Sequence, residues 1–577
     1  MPSLRIGIIL LLIFALSSIA SQHSTDRPAK NSTELHEQAD TFASRMVPLG
    51  FNGALLIAEG DEILLNKGYG FADRVNKIPN TRNTVLSLGS IVKPFTSAAI
   101  MRLVQEGKMD LSDNLSEYFE NVPDDKQNIT IKQMLSHTSG LPGQVGTDYE
   151  NITNEDLLNA AFKRPLSFEP GQDYQYSNLA FSLLALIIEK VSGLNYEEYI
   201  NQNIFQPAGM TQTGYTLPDW DPDNIAHNYT RVEDNGTFPE REYYPNWNLI
   251  GNGGMLSTTT DMFKFYQFIK GNDFLNKDTK EIMFTPVFDV DALGIVALNG
   301  GEIIQHNGGG WDGNSALFRW YRKADKMFMV FTNSGINNQP GFVAFEEPLD
   351  RLLMGETINM PPKIEVNSEI DLSQFEGQYS IGSEKNPKLF IQPDSQKLRL
   401  ESTSQEVINL FQFPERSMDA FKEWNRNIKS ATVGVIQDKN GEGFRSLFGN
   451  SQQFAEELAS EIEFEGFGPD ASVMVLTFPA HSEDLINTKI FITENSEARE
   501  GLVVNLITDG ESFRGVGYDF SFISPYAITL IPNRSNGWTG YDFNTGGSFK
   551  VDISLSEDQS LTGIALSRGE EIPLKKL

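Results

Sequence analysis

The chain reads as an α/β unit followed by an all-β unit that forms a barrel or a sandwich. Three observations predict this. Before Met360-Pro361-Pro362-Lys363 helical and strand patterns alternate, whereas after it short β-type runs dominate, and 577 residues are enough for more than one domain. The proline pair, followed by a polar stretch, is the linker candidate.

Taken from the N-terminus, Met1 to Ala20 carries one arginine, an apolar core from Ile8 to Leu16 and a small-residue end, Ser18-Ile19-Ala20. That is the pattern of a cleavable signal peptide, with the mature chain beginning near Ser21. No other apolar run approaches the ~20 residues needed to cross a bilayer, so stable membrane insertion is not expected. Cysteine is absent, which excludes disulfides, a cysteine nucleophile and a lipidated cysteine, and leaves a periplasmic or secreted protein as the expectation.

Forty-six basic residues against 77 acidic ones leave a formal charge of −31. Such acidity argues against nucleic acid and anionic membrane surfaces as partners. It is spread along the chain and marks no site. Of the six histidines, His23, His36, His137, His227 and His481 make no ligand-spaced cluster, and no His-Glu-x-x-His occurs; neither a metal nor an organic cofactor is expected. Sequons such as Asn128 to Thr130 and Asn228 to Thr230 matter only in a source that glycosylates.

The most informative stretch is Ser87-Leu88-Gly89-Ser90-Ile91-Val92-Lys93-Pro94-Phe95-Thr96, which enters a helical pattern through Ala98, Ala99, Ile100, Met101, Leu103 and Val104 and closes at Gly107. Residues three apart share a helix face, so the Lys93 amine can lie beside the Ser90 hydroxyl. A serine at a helix N-terminus also has free N–H groups and the positive dipole end beside it, which suits acyl transfer. Next, Glu169-Pro170-Gly171-Gln172-Asp173-Tyr174-Gln175-Tyr176-Ser177-Asn178 leads into an apolar helix from Leu179 to Val191, presenting Tyr-x-Asn at a helix entrance. Tyr244-Pro245-Asn246 spells the same motif without a following helix and is read as packing. Gln305-His306-Asn307-Gly308-Gly309-Gly310-Trp311-Asp312-Gly313 then precedes two strand-like runs, Asn314 to Tyr321 and Lys326 to Thr332, with a Lys323-Ala324-Asp325 turn between them.

These three motifs in this order resemble the serine β-lactamase and penicillin-binding-protein superfamily, in its class C β-lactamase-like branch of D,D-carboxypeptidases, D-aminopeptidases and esterases. Ile129-Thr130-Ile131-Lys132-Gln133-Met134-Leu135-Ser136-His137-Thr138-Ser139-Gly140-Leu141-Pro142 resembles the family's connecting segment, and Gly251-Asn252-Gly253-Gly254-Met255-Leu256-Ser257-Thr258 its glycine-rich loop. The resemblance covers residues of about 40 to 355. It implies a β-lactamase/transpeptidase-like α/β (α+β) domain, an antiparallel sheet flanked by helices, with Ser90 as nucleophile, Lys93 and Tyr176 sharing the proton work, and Asn178, His306, Gly308 and Gly309 binding substrate. The backbone N–H groups of Ser90 and Gly309 would form the oxyanion hole. Which of Lys93 and Tyr176 is the base stays open. His137 is read as a structural residue in a turn, and Trp311 either lines the pocket or packs.

Where β-lactamases carry Lys-Thr-Gly this chain has His306-Asn307-Gly308, without the permanent charge and hydroxyl that grip a carboxylate. Efficient penicillin hydrolysis is therefore not expected. A histidine near its ordinary pKa of about 6.5 would titrate across the working range, weakening carboxylate binding as pH rises from roughly 5.5 to 8.

After the linker, runs such as Leu389 to Ile391, Leu398 to Leu400, Val473 to Phe478, Ile490 to Thr493, Leu502 to Ile507, Ile528 to Ile531, Val551 to Leu555 and Ile564 to Leu566 alternate like half-buried antiparallel strands. Phe375-Glu376-Gly377-Gln378-Tyr379 and Leu561-Thr562-Gly563-Ile564-Ala565-Leu566 resemble the lipocalin-like domain appended to some family members. The reading is thus a signal peptide (1–20), a serine hydrolase domain (21–358) and a β-rich lipocalin-like domain (359–577), with the stretch from about 405 to 470 as an insertion or second β subdomain. The tail is expected to limit substrate access or mediate homo-oligomer formation.

For function these features predict an exported serine hydrolase cleaving a small peptide, amide or ester through a Ser90 acyl-enzyme, of D,D-carboxypeptidase or D-aminopeptidase type. A carboxylesterase or weak β-lactamase of the same fold is the alternative within enzymes. From another class, a non-catalytic cell-wall binder or sensor is disfavoured, because a binder has no chemical need for Ser90, Lys93, Tyr176 and His306 together.

Overall fold

Strands form where β-branched and aromatic residues run together, and in the first half of this chain six such runs assemble one sheet. The computed structural model describes residues 32–363 apart from 145, 147, 149, 231–233, 311 and 336–340, and beyond them segments between 371 and 577. It divides into two compact units, with the boundary between Met360 and Pro361. The expected signal peptide at 1–20, Trp311 and nearly all of the stretch from 405 to 470 lie outside the described residues.

In the first unit the strands lie side by side in the order Glu62–Tyr69, Gly53–Glu59, Lys326–Thr332, Ser315–Tyr321, Ile303–Gly309 and Val296–Leu298. Every pairing is antiparallel. The hairpin between Ser315–Tyr321 and Lys326–Thr332 turns at Asp325, in the left-handed region at φ 51°. These two strands are buried at almost every position, as expected of a sheet covered on both faces, whereas the edge strand Glu62–Tyr69 buries only Leu65 and Tyr69. The α+β architecture with an antiparallel sheet flanked by helices is borne out.

Two helices form the centre of the core. Val92–Gln105 is buried continuously from Val92 to Met101, and Asn178–Ser192 from Leu179 to Ile188; helices apolar on all sides belong inside. Asn178–Ser192 begins where the Ser177 hydroxyl accepts from the Ala180 N–H at 3.0 Å, and it ends at Gly193 with φ 72°. Tyr176 and Asn178 therefore flank a fixed cap.

A buried cation ties the C-terminal helix Val343–Leu353 to the sheet. Arg319, 3% exposed at its side chain, donates from Nε to Gln305 Oε1 at 2.6 Å and pairs with both Glu346 and Asp350 of that helix. Removing the cation leaves two half-buried carboxylates uncompensated. Arg319→Ala is therefore expected to cost about 3 kcal/mol of stability, read as a lower urea midpoint with unchanged slope.

In the second unit eight antiparallel strands close a barrel: Gly377–Ile381, Leu389–Asp394, Lys397–Ser402, Tyr526–Pro532, Trp538–Asp542, Gly547–Leu555, Leu561–Leu566 and Ile572–Lys576. Closure pairs the first strand with the last, Tyr379 opposite Lys576. The barrel alternative thus holds over the sandwich. One correction is needed within it. Ser472–Pro479, Ile486–Thr493, Glu500–Thr508 and Phe513–Phe522, three of which the sequence assigns to the same β body, form a four-stranded sheet of their own, inserted between the third and fourth barrel strands. Alternation reports that a strand is half-buried and says nothing about which strand it pairs with.

Candidate active site

Ser90 lies in the 3-10 turn Gly89–Ile91 that runs into the Val92–Gln105 helix, so its N–H is among those that a helix start leaves without an internal partner. Gly89 makes the turn possible, standing at φ 49°, where a side chain would be strained. The strand Ile303–Gly309 comes against it so closely that a Cβ on Gly308 would sit 2.3 Å from the Leu88 carbonyl oxygen and 2.5 Å from the Ser90 nitrogen. A Cβ on Gly89 would likewise stand 2.4 Å from the Gly309 nitrogen. Glycine at 89 and 308 thus brings the amides of Ser90 and Gly309 to one place.

One helical turn on, Lys93 is fully buried. Its Nζ donates to Asn178 Oδ1 at 2.7 Å and to the Asn252 carbonyl at 2.9 Å, and lies 3.1 Å from Ser90 Oγ. Nζ also stands 4.7 Å from the centre of the Tyr176 ring. Burial drives the amine well below its ordinary range, with the charge of Asp148 pulling weakly the other way. Burial pushes the Tyr176 phenol up, opposed by its hydrogen bond with Ser90. The phenol keeps its proton at neutral pH.

The Asn252 carbonyl is a partner that residue types do not reveal. Asn252 lies in the Gly251-Asn252-Gly253-Gly254 loop, where its own amide donates to Ser182 Oγ at 2.8 Å and Asn248 O at 2.7 Å. Gly-rich composition pointed to the loop, but a backbone acceptor has no side-chain signal. Asn178 sits at the first turn of its helix, its N–H bonded to Gly143 O at 2.7 Å and its Nδ2 donating to Gln144 Oε1 at 3.4 Å.

His137 takes the left-handed conformation, φ 60°, and its Nδ1 accepts the Ser177 N–H at 3.1 Å while its ring lies 4.4 Å from that of Tyr176. An accepting Nδ1 requires a neutral ring, and burial, reinforced by Lys93 and His306, holds its pKa well down. Tyr244 and Asn246, the second Tyr-x-Asn, serve packing: Tyr244 Oη donates to Gly254 O at 2.7 Å and Asn246 Nδ2 to Asp148 O at 2.8 Å.

His306 requires a correction. Its Nδ1 lies 2.6 Å from the Asn307 carbonyl, which can only accept, so Nδ1 carries the proton and Nε2 is a bare acceptor. Burial first, then Lys93, pushes the imidazole down to about 3, against that hydrogen bond. The expected titration between pH 5.5 and 8 is therefore absent, because a site 5% exposed cannot solvate an imidazolium.

Two carboxyls border this centre. Asp148 is raised to about 6 by burial and by Asp312, although Arg241 and Lys93 oppose the shift. Asp291 is raised to about 7 by burial, with the Tyr174 hydrogen bond opposing. Neither belongs to a motif.

Residues 40–351 match the family model described as Beta-lactamase. The chain belongs to that family. Beta-lactamase family membership makes it a serine hydrolase. Among its relatives, Penicillin-binding protein 4* of Bacillus subtilis (strain 168) is 30% identical over 393 residues, covering 63% of this chain and 86% of that one. The penicillin-binding protein of Bacillus halodurans aligns at 27% identity over 53% of this chain and 98% of that one, with a TM-score of 0.45. The octameric penicillin-binding protein homologue of Pyrococcus abyssi spans 93% of this chain and 100% of its own at 18% identity and a TM-score of 0.51, a likeness of fold.

Three outcomes are expected for this Beta-lactamase family site. The His306 ring resonances should show no inflection between pH 5.5 and 8 in an NMR titration. As pH falls below about 6.5 an unfolded chain gains protons that buried His306 and His137 refuse, so these two residues favour folding above that pH and their contribution declines below it, for His306 down toward about 3. Gly308→Ala, which forces a Cβ against the Leu88 and Ser90 backbone, should cost about 1–3 kcal/mol and slow acylation at Ser90, read by denaturation and by labelling rate.

Proposed function

We propose that this chain hydrolyses an amide or ester bond through an acyl-enzyme on Ser90, as a peptidase or amidase of D-aminopeptidase type in preference to a carboxypeptidase. The observation that carries the mechanism is the set of contacts at Lys93. A neutral amine has two N–H donors and one lone pair, and two carbonyl oxygens, those of Asn178 and Asn252, take the donors. Nζ also donates to Ser90 Oγ at 3.1 Å, so once the amine gives up that proton its lone pair faces the hydroxyl, and Lys93 is the base we assign.

In the proposed sequence the Ser90 proton passes to Lys93 as Oγ bonds to the carbonyl carbon. The resulting oxyanion is held by the N–H groups of Ser90 and Gly309, each donor worth roughly 10²–10³ in kcat. Tyr176, protonated and hydrogen-bonded to Ser90, gives its proton to the departing amine or alkoxide and recovers one from Lys93. Water then repeats the attack on the ester and frees Ser90.

Charge supports the choice of substrate. Burial keeps His306 and His137 neutral and lowers the Lys93 pKa, Lys93 is engaged by Asn178, Asn252 and Ser90, and Arg241 is paired with Asp312. The site therefore offers no free cation, among the described residues, to grip a substrate carboxylate. The name of the Bacillus subtilis relative, Penicillin-binding protein 4*, supports a serine that a β-lactam can acylate; His306 supports slow acylation here. We also read residues 1–20 as an export signal, tested by N-terminal sequencing of protein recovered outside the cytoplasm, which should begin near Ser21.

The mechanism is tested by intact-mass spectrometry after a fluorophosphonate. A single adduct should map to Ser90, and Ser90→Ala should lose both adduct and turnover. Lys93→Ala and Tyr176→Phe should lower kcat by about 10²–10⁴. Normal turnover by Ser90→Ala would refute the assignment.

A further inference from the structure

Buried carboxylates in the first unit are generally answered by cations. Asp312 pairs with Arg241, Asp261 with Lys264 at 2.7 Å, and Asp73 stands 3.8 Å from His227 Nε2. Asp291 departs from this rule. Its residue is 9% exposed, and its hydrogen-bond partner is a neutral phenol, with Tyr174 Oη donating to Oδ1 at 3.2 Å. The other charge acting on it, Asp289, has the same sign. Its second oxygen, Oδ2, has no donor within the described protein and is not sealed from solvent. Burial without a cation is costly for a carboxylate, which is why its proton is retained up to about 7.

The location gives this uncompensated group a purpose. The Tyr174 ring lies 5.8 Å from the His137 ring, which in turn lies 4.4 Å from Tyr176, and the charge of Asp291 is felt at the Tyr176 phenol. Asp291 stands in a tight turn, with its N–H bonded to Phe288 O at 2.8 Å, just ahead of the strand Val296–Leu298 that borders the His306 strand. Phe288 stacks on Tyr174 at 5.6 Å and is 36% exposed. A half-satisfied carboxyl beside two stacked aromatic rings has the chemistry that recognises an ammonium group, through a charge-assisted hydrogen bond and the negative ring faces.

We propose that Asp291, with the Tyr174 and Phe288 rings, forms a subsite for a primary ammonium group on the substrate, so that amine-bearing acyl donors are the preferred substrate class. The subsite deepens the Ser90 hydrolase reading and rests on it. An ammonium there holds the carboxyl ionised and supplies the cation the fold omits.

The test compares kcat/KM at pH 7.5 for phenylalanine p-nitroanilide, both enantiomers, with that for the uncharged 3-phenylpropanoyl p-nitroanilide. The ammonium substrate should be preferred at least tenfold for one enantiomer, and Asp291→Asn should reduce that ratio at least tenfold, whatever the neutral substrate's own rate does. A second measurement needs no turnover: benzylammonium chloride should slow fluorophosphonate labelling of Ser90 in the parent more than in Asp291→Asn, and benzyl alcohol should not discriminate between them. Equal ratios in parent and variant, or equal protection by benzylammonium, would overturn the subsite while leaving Ser90 chemistry intact. Absence of any Ser90 adduct would instead overturn the hydrolase reading, and the subsite with it.

Discussion

The burial of Lys93 between two carbonyl oxygens is the constraint on which the site depends. An ammonium at that depth would have to be compensated, and the surrounding groups compensate it only in part: Asp148 is itself held partly protonated, and Asn178 and Asn252 offer dipoles rather than charge. Burial therefore holds its pKa well below the ordinary range. An amine so placed gives up its third proton more readily than one in water, and the two carbonyls fix the direction of its other two N–H bonds.

The rest of the centre follows from the same low dielectric. His306 and His137 stay neutral because each is buried, and their proton positions are settled by what they touch: Nδ1 of His306 donates to a carbonyl, and Nδ1 of His137 accepts an amide. Tyr176 is held protonated by burial against its bond to Ser90. A pocket so arranged holds an amine of lowered pKa and a protonated phenol next to one hydroxyl. With a chain charge of −31 spread along the sequence, the buried carboxyl of Asp291, which has a phenol and no cation as its partner, is conspicuous beside this centre.

Precision comes from backbone approach as much as from side chains. The His306 strand reaches the Ser90 turn only because residues 89 and 308 have no Cβ, and the sheet holding that strand is fastened behind by Arg319. Chemistry on one edge of the sheet is therefore anchored by an ion cluster on the helix Val343–Leu353, far along the chain.

Much of this was legible in the residues alone. Ser90 and Lys93 three apart on a helix, Tyr176 and Asn178 at a helix entrance, and His306 to Gly309 on a strand were found by spacing and punctuation, since local hydrogen bonding and steric preference determine those elements within a few residues. The two-part architecture was equally readable at the Pro361-Pro362 break. Tertiary structure alone decided the rest. Lys93 meets Asn178 and Asn252 across 85 and 159 residues of chain, and the proton state of His306 depends on a dielectric that no window of sequence contains. The strands at 472–522 alternate as barrel strands do yet pair among themselves, and Asp291 carries no motif at all. Sequence determines which groups are available and which face of a helix or strand they occupy; how deeply they are buried, and beside what, is set only when distant segments close around them, and burial is what turns these residues from charged side chains into reagents.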